Sequence, residues 1–448
     1  MKPAILVVTI LALSYSAVHF AKSGVAVPLQ KLNLGKFNEE TPALRIHIQT
    51  GEPIHSNNPV QYGPAFLLVM DPLLRYVDGG WTLVYVLYAL QLTSIGLAFW
   101  LTCATIRPFL DRTEDWPLLV AWSAVLWSNF APLYTTLALK SVETWELLLL
   151  SLALFAYLRN RLWVVAFALA AAGLIKVLPL IFFGYLLVTN RPAFVRACAA
   201  LVVLLLVTHA FYGSEMGLGY LPHVAQSAAG NSYGLLWHEN LSLKAALAKL
   251  FGQLERPDGA LQVSGYYVYL TPAQLKATIV LGDISMVIGL GLLAWACFTR
   301  EKRSTERVVW EWSLVTVGML ILSPNTLFEY ATVALGAITC TAASAFKWRA
   351  ATPYATWLLL GAAMLLLGVL LPREILNRIV LIETINGWTG IHHFMASEAY
   401  QFYCFPLAGL LLMTAAIWRL RPVSIQPISS PASTGGPMPM TSLDSARD

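Results

Sequence analysis

A single lysine stands near the middle of a long apolar run, in the stretch AAAGLIKVLPLI at residues 170–181. Lys176 could anchor the end of a membrane helix by extending its ammonium group toward the lipid headgroups. The same ammonium group could instead serve as a point charge for a phosphate at membrane depth. The residue itself leaves both interpretations open, so the choice depends on the elements that flank it.

Two adjacent carboxylates, Glu39 and Glu40, come directly before a stretch that is typical of a short helix. Thr41 is suited to cap this helix, Pro42 to occupy its first position and Gly51 to end it. A carboxylate at a helix N-terminus is stabilised as an anion by the helix dipole. The pair is therefore either a favourable helix start or a functional anion at the membrane surface.

A third carboxylate, Glu329, lies inside the apolar run LILSPNTLFEYATVAL. Ser323 and Pro324 predict a break in the helix shortly before it. A carboxylate in such a run is costly unless it faces a polar cavity or a partner. Glu329 is therefore predicted to be functional, with a structural ion pair as the alternative.

The loop sequence SYGLLWHENLSLKAALAKLFG carries the polar residues His238, Asn240 and Ser242. Asn240 and Ser242 also fit the acceptor pattern of N-glycosylation, which is an alternative role for them. The second half of the loop, residues 243–251, predicts an amphipathic helix with its lysines opposite its leucines.

The sequence offers no metal-binding pattern. The histidine pair at residues 392–393 has Glu398 nearby, but neither the HExxH spacing nor a third ligand accompanies it. The cysteines lie in or beside apolar segments without a CxxC pair, and we predict that they act as small hydrophobic residues: Cys103, Cys198, Cys297, Cys340 and Cys404.

The composition is that of a membrane protein. Hydrophobic residues make up 57% of the 448 residues and charged residues 12%, and the mean hydropathy is +0.64. Soluble domains carry about 25% charged residues. The net charge of +5 is distributed in short clusters between apolar runs, so nucleic acid is excluded as a partner. The predicted fold class is an all-α polytopic membrane protein.

The basic clusters also orient the chain, because short loops rich in Lys and Arg lie on the cytoplasmic side. Arg161 and Arg191 are separated by about thirty residues, too many for one helix of roughly 20 residues and too few for two full ones. The segment must therefore enter and return as two short helices, with a turn near Lys176 and Pro179. This places Lys176 at the apex, facing the outer side.

The same rule predicts about twelve spans with both termini cytoplasmic. Three longer segments, residues 22–80, 213–272 and 372–400, then lie outside. The spans are predicted to begin near Ala4, Trp81, Trp116, Trp145, Leu162, Val177, Phe194, Ala273, Val308, Leu327, Tyr354 and Phe402.

One polytopic domain is predicted over residues 1–421, followed by a disordered cytoplasmic tail over residues 422–448 that is rich in Pro, Ser and Gly. The first apolar run is expected to remain as a helix, because Ala21-Lys22-Ser23 is a poor cleavage site. Residues 62–77 contain Asp71, Pro72 and Arg75, so a partial or surface-lying helix is predicted there.

Four segments in order carry a resemblance: YGPAFLLVMDPLLRYV, AAGLIKVLPLIFFGYLLVTNR, ENLSLKAALAKLFG and LSPNTLFEYATVAL. They are similar to a Tyr-Pro-Pro-Leu-Phe segment, a Lys-x-x-Pro followed by a basic turn, an Asn-Gln-Ser-Leu loop, and a Ser-Pro break before a late helix. The chain thus resembles the polyprenol-phosphate-dependent GT-C glycosyltransferases, most closely glycosyltransferase family 87, which includes mycobacterial alpha-1,2-mannosyltransferases. The matching segments run from about residue 62 to residue 335.

The chain departs from the family pattern at several positions. Gly63 replaces one proline of the double proline, and the stretch LKSVETWELL lacks the family's Gly-Gln-x-Asn. Leu327 and Glu329 stand where members often carry a tryptophan and a histidine. The catalytic aspartate of the first outer loop is also missing, and the nearest carboxylates are Glu39 and Glu40.

The resemblance implies transfer of a hexose, mannose by preference, from a polyprenyl-phosphate sugar to a lipid or glycan acceptor, with inversion and without a cofactor or metal. It implies a carboxylate general base, Glu40 as first choice and Glu39 as second, and a phosphate-binding role for Lys176. The short hairpin at residues 162–190 could leave a groove for the lipid tail. The residues implied to line the acceptor and sugar cavity are Tyr62, His238, Asn240, Ser242 and Glu329.

The resemblance also implies an integral membrane location, the bacterial inner membrane, with the active site on the extracytoplasmic side and membrane lipids as partners. A transporter or flippase of lipid-linked sugar is the first alternative, and it predicts discontinuous helices and repeat symmetry. A non-catalytic subunit of a glycan assembly complex is the second, and it predicts that Glu40 can be replaced without loss of activity.

Overall fold

A computed structural model gives the fold of most of the chain. It describes residues 3–30, 37–52, 54, 62–77, 81–109, 115–222, 240–255, 267–298, 303–349, 351–368 and 404–422. Within the helix at residues 37–50, the side chains of residues 37–43 lie outside the described part. The predicted tail also lies outside it, apart from Pro422.

The described chain is almost entirely helical. Its α-helices are α1 Pro3–His19, α2 Val27–Gln30, α3 Phe37–Thr50, α4 Pro64–Tyr76, α5 Trp81–Ile106, α6 Asp115–Trp127, α7 Ala131–Leu139, α8 Glu143–Leu158, α9 Leu162–Ile175, α10 Ile181–Thr189, α11 Arg191–Tyr212, α12 Leu243–Phe251, α13 Pro272–Cys297, α14 Thr305–Leu322, α15 Leu335–Lys347, α16 Tyr354–Leu366 and α17 Phe405–Arg419.

Shorter elements join these helices. A π-helical turn follows α1 at Phe20–Ala26, and 3₁₀ segments lie at Arg107–Phe109, Leu178–Leu180 and Phe328–Ala334. Two three-residue strands, β1 Gln253–Glu255 and β2 Tyr267–Tyr269, pair antiparallel with Gln253 opposite Tyr269.

Four helical stretches in the described ranges are long and apolar enough to cross a membrane: Ala4–Ala26, Trp81–Phe109, Arg191–Tyr212 and Pro272–Cys297. Their outward side chains are apolar as well, with Val18 70% exposed and Val287 65% exposed. Such faces suit a hydrocarbon solvent. The all-α membrane architecture is therefore confirmed, whereas the number of about twelve spans stays a prediction.

The main core lies between α5, α8, α9, α14 and α15. Helices α8 and α9 pack against each other in this core, and their small residues Ala153, Ala166 and Ala170 are fully buried. Small side chains let membrane helices approach closely, and close approach is what stabilises helix pairs in lipid. The core thus fixes the relative position of the ends of α8 and α9.

The predicted hairpin around Lys176 is confirmed. Helix α9 ends at Ile175, Lys176 has an extended backbone with φ −139° and ψ 144°, and a 3₁₀ turn with Pro179 leads into α10. Gly173 allows this turn, because a Cβ at that position would overlap the side chain of Leu180. Proline disfavours helix continuation, which explains why the break falls here.

Helix α4 packs against this break in a second, smaller hydrophobic core. The N–H of Gly63 donates to the carbonyl of Ile175 at 2.9 Å. A Cβ on Gly63 would overlap the carbonyl oxygen of Leu174. The glycine therefore permits the close contact that brings the preceding Tyr62 to the end of α9.

With 13 residues, α4 is shorter than a membrane span requires. It is not simply a surface-lying helix, because Phe66 and Met70 are fully buried. Asp71 pairs with Arg75 at 2.5 Å and accepts a hydrogen bond from the Tyr212 hydroxyl at 3.3 Å. Its charged residues are thus accommodated by partners, and the prediction of a partial helix is confirmed.

The predicted start of α3 at Thr41 is wrong, because the helix begins at Phe37 and includes Glu39 and Glu40 in its first turn. The helix dipole favours acidic residues at that position, which explains the earlier start. The predicted end is confirmed: Gly51 has φ +72°, and its N–H donates to the carbonyl of His47 at 2.8 Å.

Two further elements follow the sequence pattern. Helix α12 spans the predicted residues 243–251. Helix α14 ends at Leu322, directly before Ser323 and Pro324. The Ser323 hydroxyl donates to the carbonyl of Asn325 at 2.7 Å, which stabilises the turn into the 3₁₀ segment that carries Glu329.

Candidate active site

The ammonium group of Lys176 forms a buried ion pair with Glu143. Nζ contacts Oε1 of the carboxylate, and the two side chains are 9% and 0% exposed. Glu143 is the first residue of α8, and Lys176 follows the last residue of α9. A buried charge is costly unless a partner compensates it. The pair therefore explains how a lysine can be retained in the interior of this helical bundle.

Two aromatic rings lie beside the ammonium group. Nζ lies 3.2 Å from the ring centroid of Tyr330 and 5.8 Å from that of Tyr62. Aromatic faces attract cations, most strongly where water is excluded. The rings also limit the directions from which another group can approach Lys176.

Tyr62 is held in place through the short loop between α7 and α8. Its hydroxyl lies 3.0 Å from Oγ of Ser141, and Nε2 of Gln91 donates to the Ser141 carbonyl at 2.8 Å. All three side chains are buried. The loop thus links α4, α5 and the N-terminus of α8 at one position.

Lys140 in this loop occupies the left-handed region with φ 50° and ψ 46°, and it is fully buried. Glycine adopts this conformation most readily. Lys140 adopts it in the loop that leads into α8, so this loop carries a buried lysine three residues before the buried carboxylate of Glu143.

A second buried carboxylate, Glu146, follows Glu143 by three residues on α8 and is 3% exposed. Residues three apart lie on the same face of a helix. Oε1 of Glu146 has no hydrogen-bond partner among the described residues. The face of α8 that holds Glu143 against Lys176 therefore carries a further acceptor.

Glu329 is buried at 4% exposure in the 3₁₀ segment next to Tyr330. This segment packs on α7 through Thr136, whose Oγ1 lies 3.2 Å from the Glu329 carbonyl and 2.8 Å from Oγ1 of Thr332. The Ser-Pro break thus positions both the aromatic partner of Lys176 and a predicted site residue.

Asn240 and Ser242 hold their loop against the same break. The Asn240 amide donates to the Pro324 carbonyl at 3.2 Å and accepts from the N–H of Thr326 at 3.0 Å. The Ser242 hydroxyl donates to the same Pro324 carbonyl at 3.2 Å and caps α12. The structure therefore gives both residues a positioning role at the edge of the site, and their predicted contact with substrate remains a prediction.

The described residues thus bring together Tyr62, Lys176 and the segment of Glu329. Asn240 and Ser242 contact Pro324, before the start of that segment. His238 and the histidine pair at 392–393 lie outside the described residues. So do the side chains of Glu39 and Glu40, for which only the backbone position in α3 is known.

Sequence reasoning missed four residues of the site: Ser141, Glu143, Glu146 and Tyr330. The two glutamates carry a recognisable signal, because SVETWELL places carboxylates at the start of an apolar run, as for Glu329. Ser141 and Tyr330 carry none, since serine and tyrosine are common in such segments.

No group of three or more His, Cys, Asp or Glu side chains in the described ranges is arranged to hold a metal ion. The charged groups that the site offers are instead an ammonium group and carboxylates. In chemical terms these can bind an anion, accept hydrogen bonds from hydroxyl groups and accept a proton.

The sequence model of glycosyltransferase family 87 matches residues 61–324, more than half of the chain. The matched range begins directly before Tyr62 and ends at Pro324, so it contains Glu143, Glu146 and Lys176. No curated protein matches the chain.

Proposed function

The chain belongs to glycosyltransferase family 87, and on that premise we propose that it transfers a hexose from a polyprenyl-phosphate sugar to a lipid or glycan acceptor, with inversion. Mannose is the first choice for the sugar. The family makes the protein a membrane glycosyltransferase. The donor is our proposal and rests on the arrangement of charges around Lys176. The sugar and the stereochemistry are proposed from the resemblance to the family.

The observation that carries the proposal is the burial of the Lys176 ammonium group at a break between two short helices, against Glu143 and Tyr330. A cation at a helix end inside the bundle suits a phosphate that must remain attached to a lipid. The ion pair with Glu143 lowers the cost of burying this charge before the donor binds. Because an ammonium group carries three N–H donors, it can hold Glu143 and a phosphate oxygen together.

The chemistry requires such a cation. In the donor, the phosphate joins the lipid to C1 of the sugar and carries one negative charge. When the bond between C1 and the phosphate oxygen breaks, the phosphate keeps the electron pair and gains a second negative charge. A cation already in place stabilises this developing charge. Lys176 supplies it, and the reaction is proposed to need no metal.

The acceptor hydroxyl attacks C1 from the opposite side, forms the new C–O bond and gives its proton to a carboxylate. Glu40 is our first choice for this general base and Glu39 the second. Their place in the first turn of α3 supports the proposal, because the helix dipole keeps a carboxylate anionic and thus able to accept a proton. Glu329 is the next candidate.

The sugar and acceptor are proposed to lie between Lys176 and the outer loops, lined by Tyr62, His238, Asn240, Ser242 and Glu329. Buried oxygen atoms suit a substrate rich in hydroxyl groups. The short helices α9 and α10, of 14 and 9 residues, support the proposed groove for the lipid tail, because hydrocarbon can fill the space that full-length helices would occupy.

The positive loops support an orientation in which Lys176 and the start of α3 face the extracytoplasmic side. The protein is proposed to act in the bacterial inner membrane. The helix break at Lys176 is also a feature of transporters, but membership of a transferase family favours sugar transfer over translocation.

The test uses the purified full-length protein reconstituted in lipid vesicles with radiolabelled polyprenyl-phosphate mannose, polyprenyl-phosphate glucose or a nucleotide sugar. We expect transfer from polyprenyl-phosphate mannose, with a product whose anomeric configuration is inverted. Transfer from the nucleotide sugar alone would overturn the proposed donor. Movement of lipid-linked sugar across the vesicle without transfer would favour the transporter.

A further inference from the structure

Three tryptophans surround one arginine at the opposite end of the bundle from Lys176. The guanidinium carbon of Arg421 lies 5.7 Å from the ring centroid of Trp418, 5.8 Å from that of Trp310 and 6.0 Å from that of Trp295. The rings of Trp295 and Trp418 stack at 5.8 Å with an angle of 23° between their planes. We call these four residues the tryptophan patch.

The patch is built from the ends of α13, α14 and α17, and one of its three rings is buried. Trp310 is 5% exposed, and its Nε1 donates to the Ile417 carbonyl at 2.5 Å. Trp295 and Trp418 are 60% and 38% exposed, respectively. Two large aromatic rings are thus exposed beside a third ring that is buried in the bundle.

The surroundings of the patch are positively charged. Arg303 and Arg307 share one buried carboxylate, that of Glu311, with Nε–Oε distances of 3.0 and 2.7 Å. Arg307 also lies over the Trp310 ring, with its guanidinium carbon 4.5 Å from the centroid. One carboxylate cannot neutralise two guanidinium groups, so among the residues that the structure describes this cluster keeps a positive charge.

Arg419 and Arg421 add two more charges, and both are exposed. Among the residues that the structure describes, neither forms an ion pair with a carboxylate. Glu306, in the first turn of α14, pairs with Lys347 at 3.0 Å. The surface therefore combines an excess of guanidinium groups with exposed indoles.

The patch is distinct from the candidate active site. Nη1 of Arg303 donates to the carbonyl of Thr189 at the end of α10, whereas Lys176 lies before the start of that helix. The basic loops predict that this end faces the cytoplasm. The patch thus lies at the cytoplasmic boundary of the membrane, whereas the transfer reaction is proposed to occur on the extracytoplasmic side.

We propose that the tryptophan patch binds the headgroup of an anionic phospholipid, of the phosphatidylglycerol or cardiolipin class. Indole rings favour the level of the headgroups, where one edge contacts acyl chains and the N–H contacts polar groups. Guanidinium groups bind phosphate with two parallel hydrogen bonds. Basic pockets between helix ends on the cytoplasmic side suit such headgroups.

A soluble phosphate is a poorer match for this surface, because it would leave the exposed faces of Trp295 and Trp418 without an apolar partner. A zwitterionic headgroup would bring its own cation beside Arg419 and Arg421. The combination of indoles and unneutralised arginines therefore points to a lipid with a net negative charge.

The test measures binding of phosphatidylglycerol to the purified full-length protein in a zwitterionic detergent, by native mass spectrometry and by the shift in thermal unfolding temperature. Phosphatidylcholine and inorganic phosphate are the comparison ligands. We expect phosphatidylglycerol to bind and stabilise most strongly, and Arg421→Gln to weaken its binding about fivefold, since one basic residue near a membrane surface contributes about 1 kcal/mol.

The chain offers a matched control in Trp163 and Arg196, a single pair with the guanidinium carbon 5.8 Å from the ring centroid and Trp163 53% exposed. Arg196→Gln is expected to leave the affinity for phosphatidylglycerol within twofold of that of the wild type. If Arg421→Gln does not fold, Trp295→Ala replaces it, because that side chain is mostly exposed.

Equal binding of the anionic and zwitterionic lipids would overturn the proposal, as would equal losses in the Arg421 and Arg196 variants. Binding of inorganic phosphate with the same affinity would overturn it as well, because the site would then need no lipid. None of these measurements depends on glycosyl transfer.

Discussion

The Lys176 ammonium group lies against the carboxylate of Glu143, although the two residues are 33 positions apart in the chain. Three segments meet at this point: the start of α8, the break after α9 and the 3₁₀ segment that supplies Tyr330. The cation is therefore fixed by tertiary packing. If this cation binds a donor phosphate, changes to its partners should alter stability and donor binding in different ways.

The first prediction concerns the ion pair itself. Glu143→Gln leaves the Lys176 ammonium group buried without its counterion, and we expect it to lower the free energy of unfolding by about 3–5 kcal/mol. Adding polyprenyl phosphate should recover more stability in this variant than in the wild type, because the phosphate replaces the lost charge. Thermal unfolding with and without the ligand measures both effects.

Glu306→Gln is the control for this prediction. It breaks the more exposed pair of Glu306 with Lys347, whose side chains are 32% and 14% exposed. Such a pair contributes about 1 kcal/mol or less. Equal destabilisation by the two variants, with no added effect of polyprenyl phosphate on Glu143→Gln, would contradict the prediction that Glu143 compensates the buried charge of Lys176.

The second prediction concerns the Tyr330 ring, which faces the Lys176 ammonium group. Tyr330→Leu removes the ring whose centroid lies 3.2 Å from Nζ, and we expect it to reduce stability by about 2 kcal/mol through loss of the cation–π contact. Tyr330→Phe keeps the ring and should retain at least half of that stability. The midpoints of thermal unfolding distinguish the two variants. A larger loss in Tyr330→Phe than in Tyr330→Leu would contradict the prediction.

The third prediction concerns the general base. Glu40→Gln should lower the rate of sugar transfer by about 10²- to 10⁴-fold, because the acceptor hydroxyl would lose its proton acceptor. The unfolding temperature should fall only slightly, since a charge in the first turn of a helix contributes at most about 1 kcal/mol at an exposed position. Transfer from radiolabelled polyprenyl-phosphate mannose is the measurement.

Glu52→Gln is the matched control, because this exposed glutamate lies just beyond the other end of α3. If Glu39→Gln abolishes transfer and Glu40→Gln does not, Glu39 is the general base. If both variants transfer as fast as the wild type, neither residue is the base, and Glu329→Gln becomes the next test.

The fourth prediction concerns the glycine that brings α4 to the helix break. Gly63→Ala places a methyl group on the Leu174 carbonyl, and we expect a loss of about 1–3 kcal/mol in stability. Transfer should fall as well, because Tyr62 would move away from Ser141. Gly96→Ala in α5 is the control: a Cβ there meets no other atom within 4 Å, and alanine favours a helix. The prediction fails if the two variants unfold at the same temperature.

Local patterns explain how much of the fold the sequence predicts. The hairpin around Lys176 follows from two basic ends about thirty residues apart, and the break at Ser323 follows from proline chemistry. Both signals act within a few residues of the element they define. The start of α3 is the counterexample, because the helix begins at Phe37 and continues through Pro42, although a proline at that position cannot donate the backbone hydrogen bond of a regular helix.

The site was only partly predictable for the same reason. Lys176 and Glu329 stand out because a charge in an apolar run needs a partner, but the sequence does not say which partner. Glu143 and Tyr330 are far from Lys176 along the chain, and only the packing of α8 and the 3₁₀ segment brings them close. The roles of Asn240 and Ser242 likewise depend on the carbonyl of Pro324, a backbone group with no sequence signature.

The central claim is that the Lys176 ammonium group binds the phosphate of the donor. The most direct test is the affinity of purified protein for polyprenyl-phosphate mannose in three forms: wild type, Glu143→Gln, and Glu143→Gln combined with Lys176→Met. The double variant has neither charge of this pair, so no buried charge is left without a partner to destabilise the fold. A loss of affinity in this variant therefore reports the loss of phosphate binding. We predict that Glu143→Gln binds at least as tightly as the wild type and that the double variant binds at least tenfold more weakly. Equal affinity in all three forms would contradict the claim.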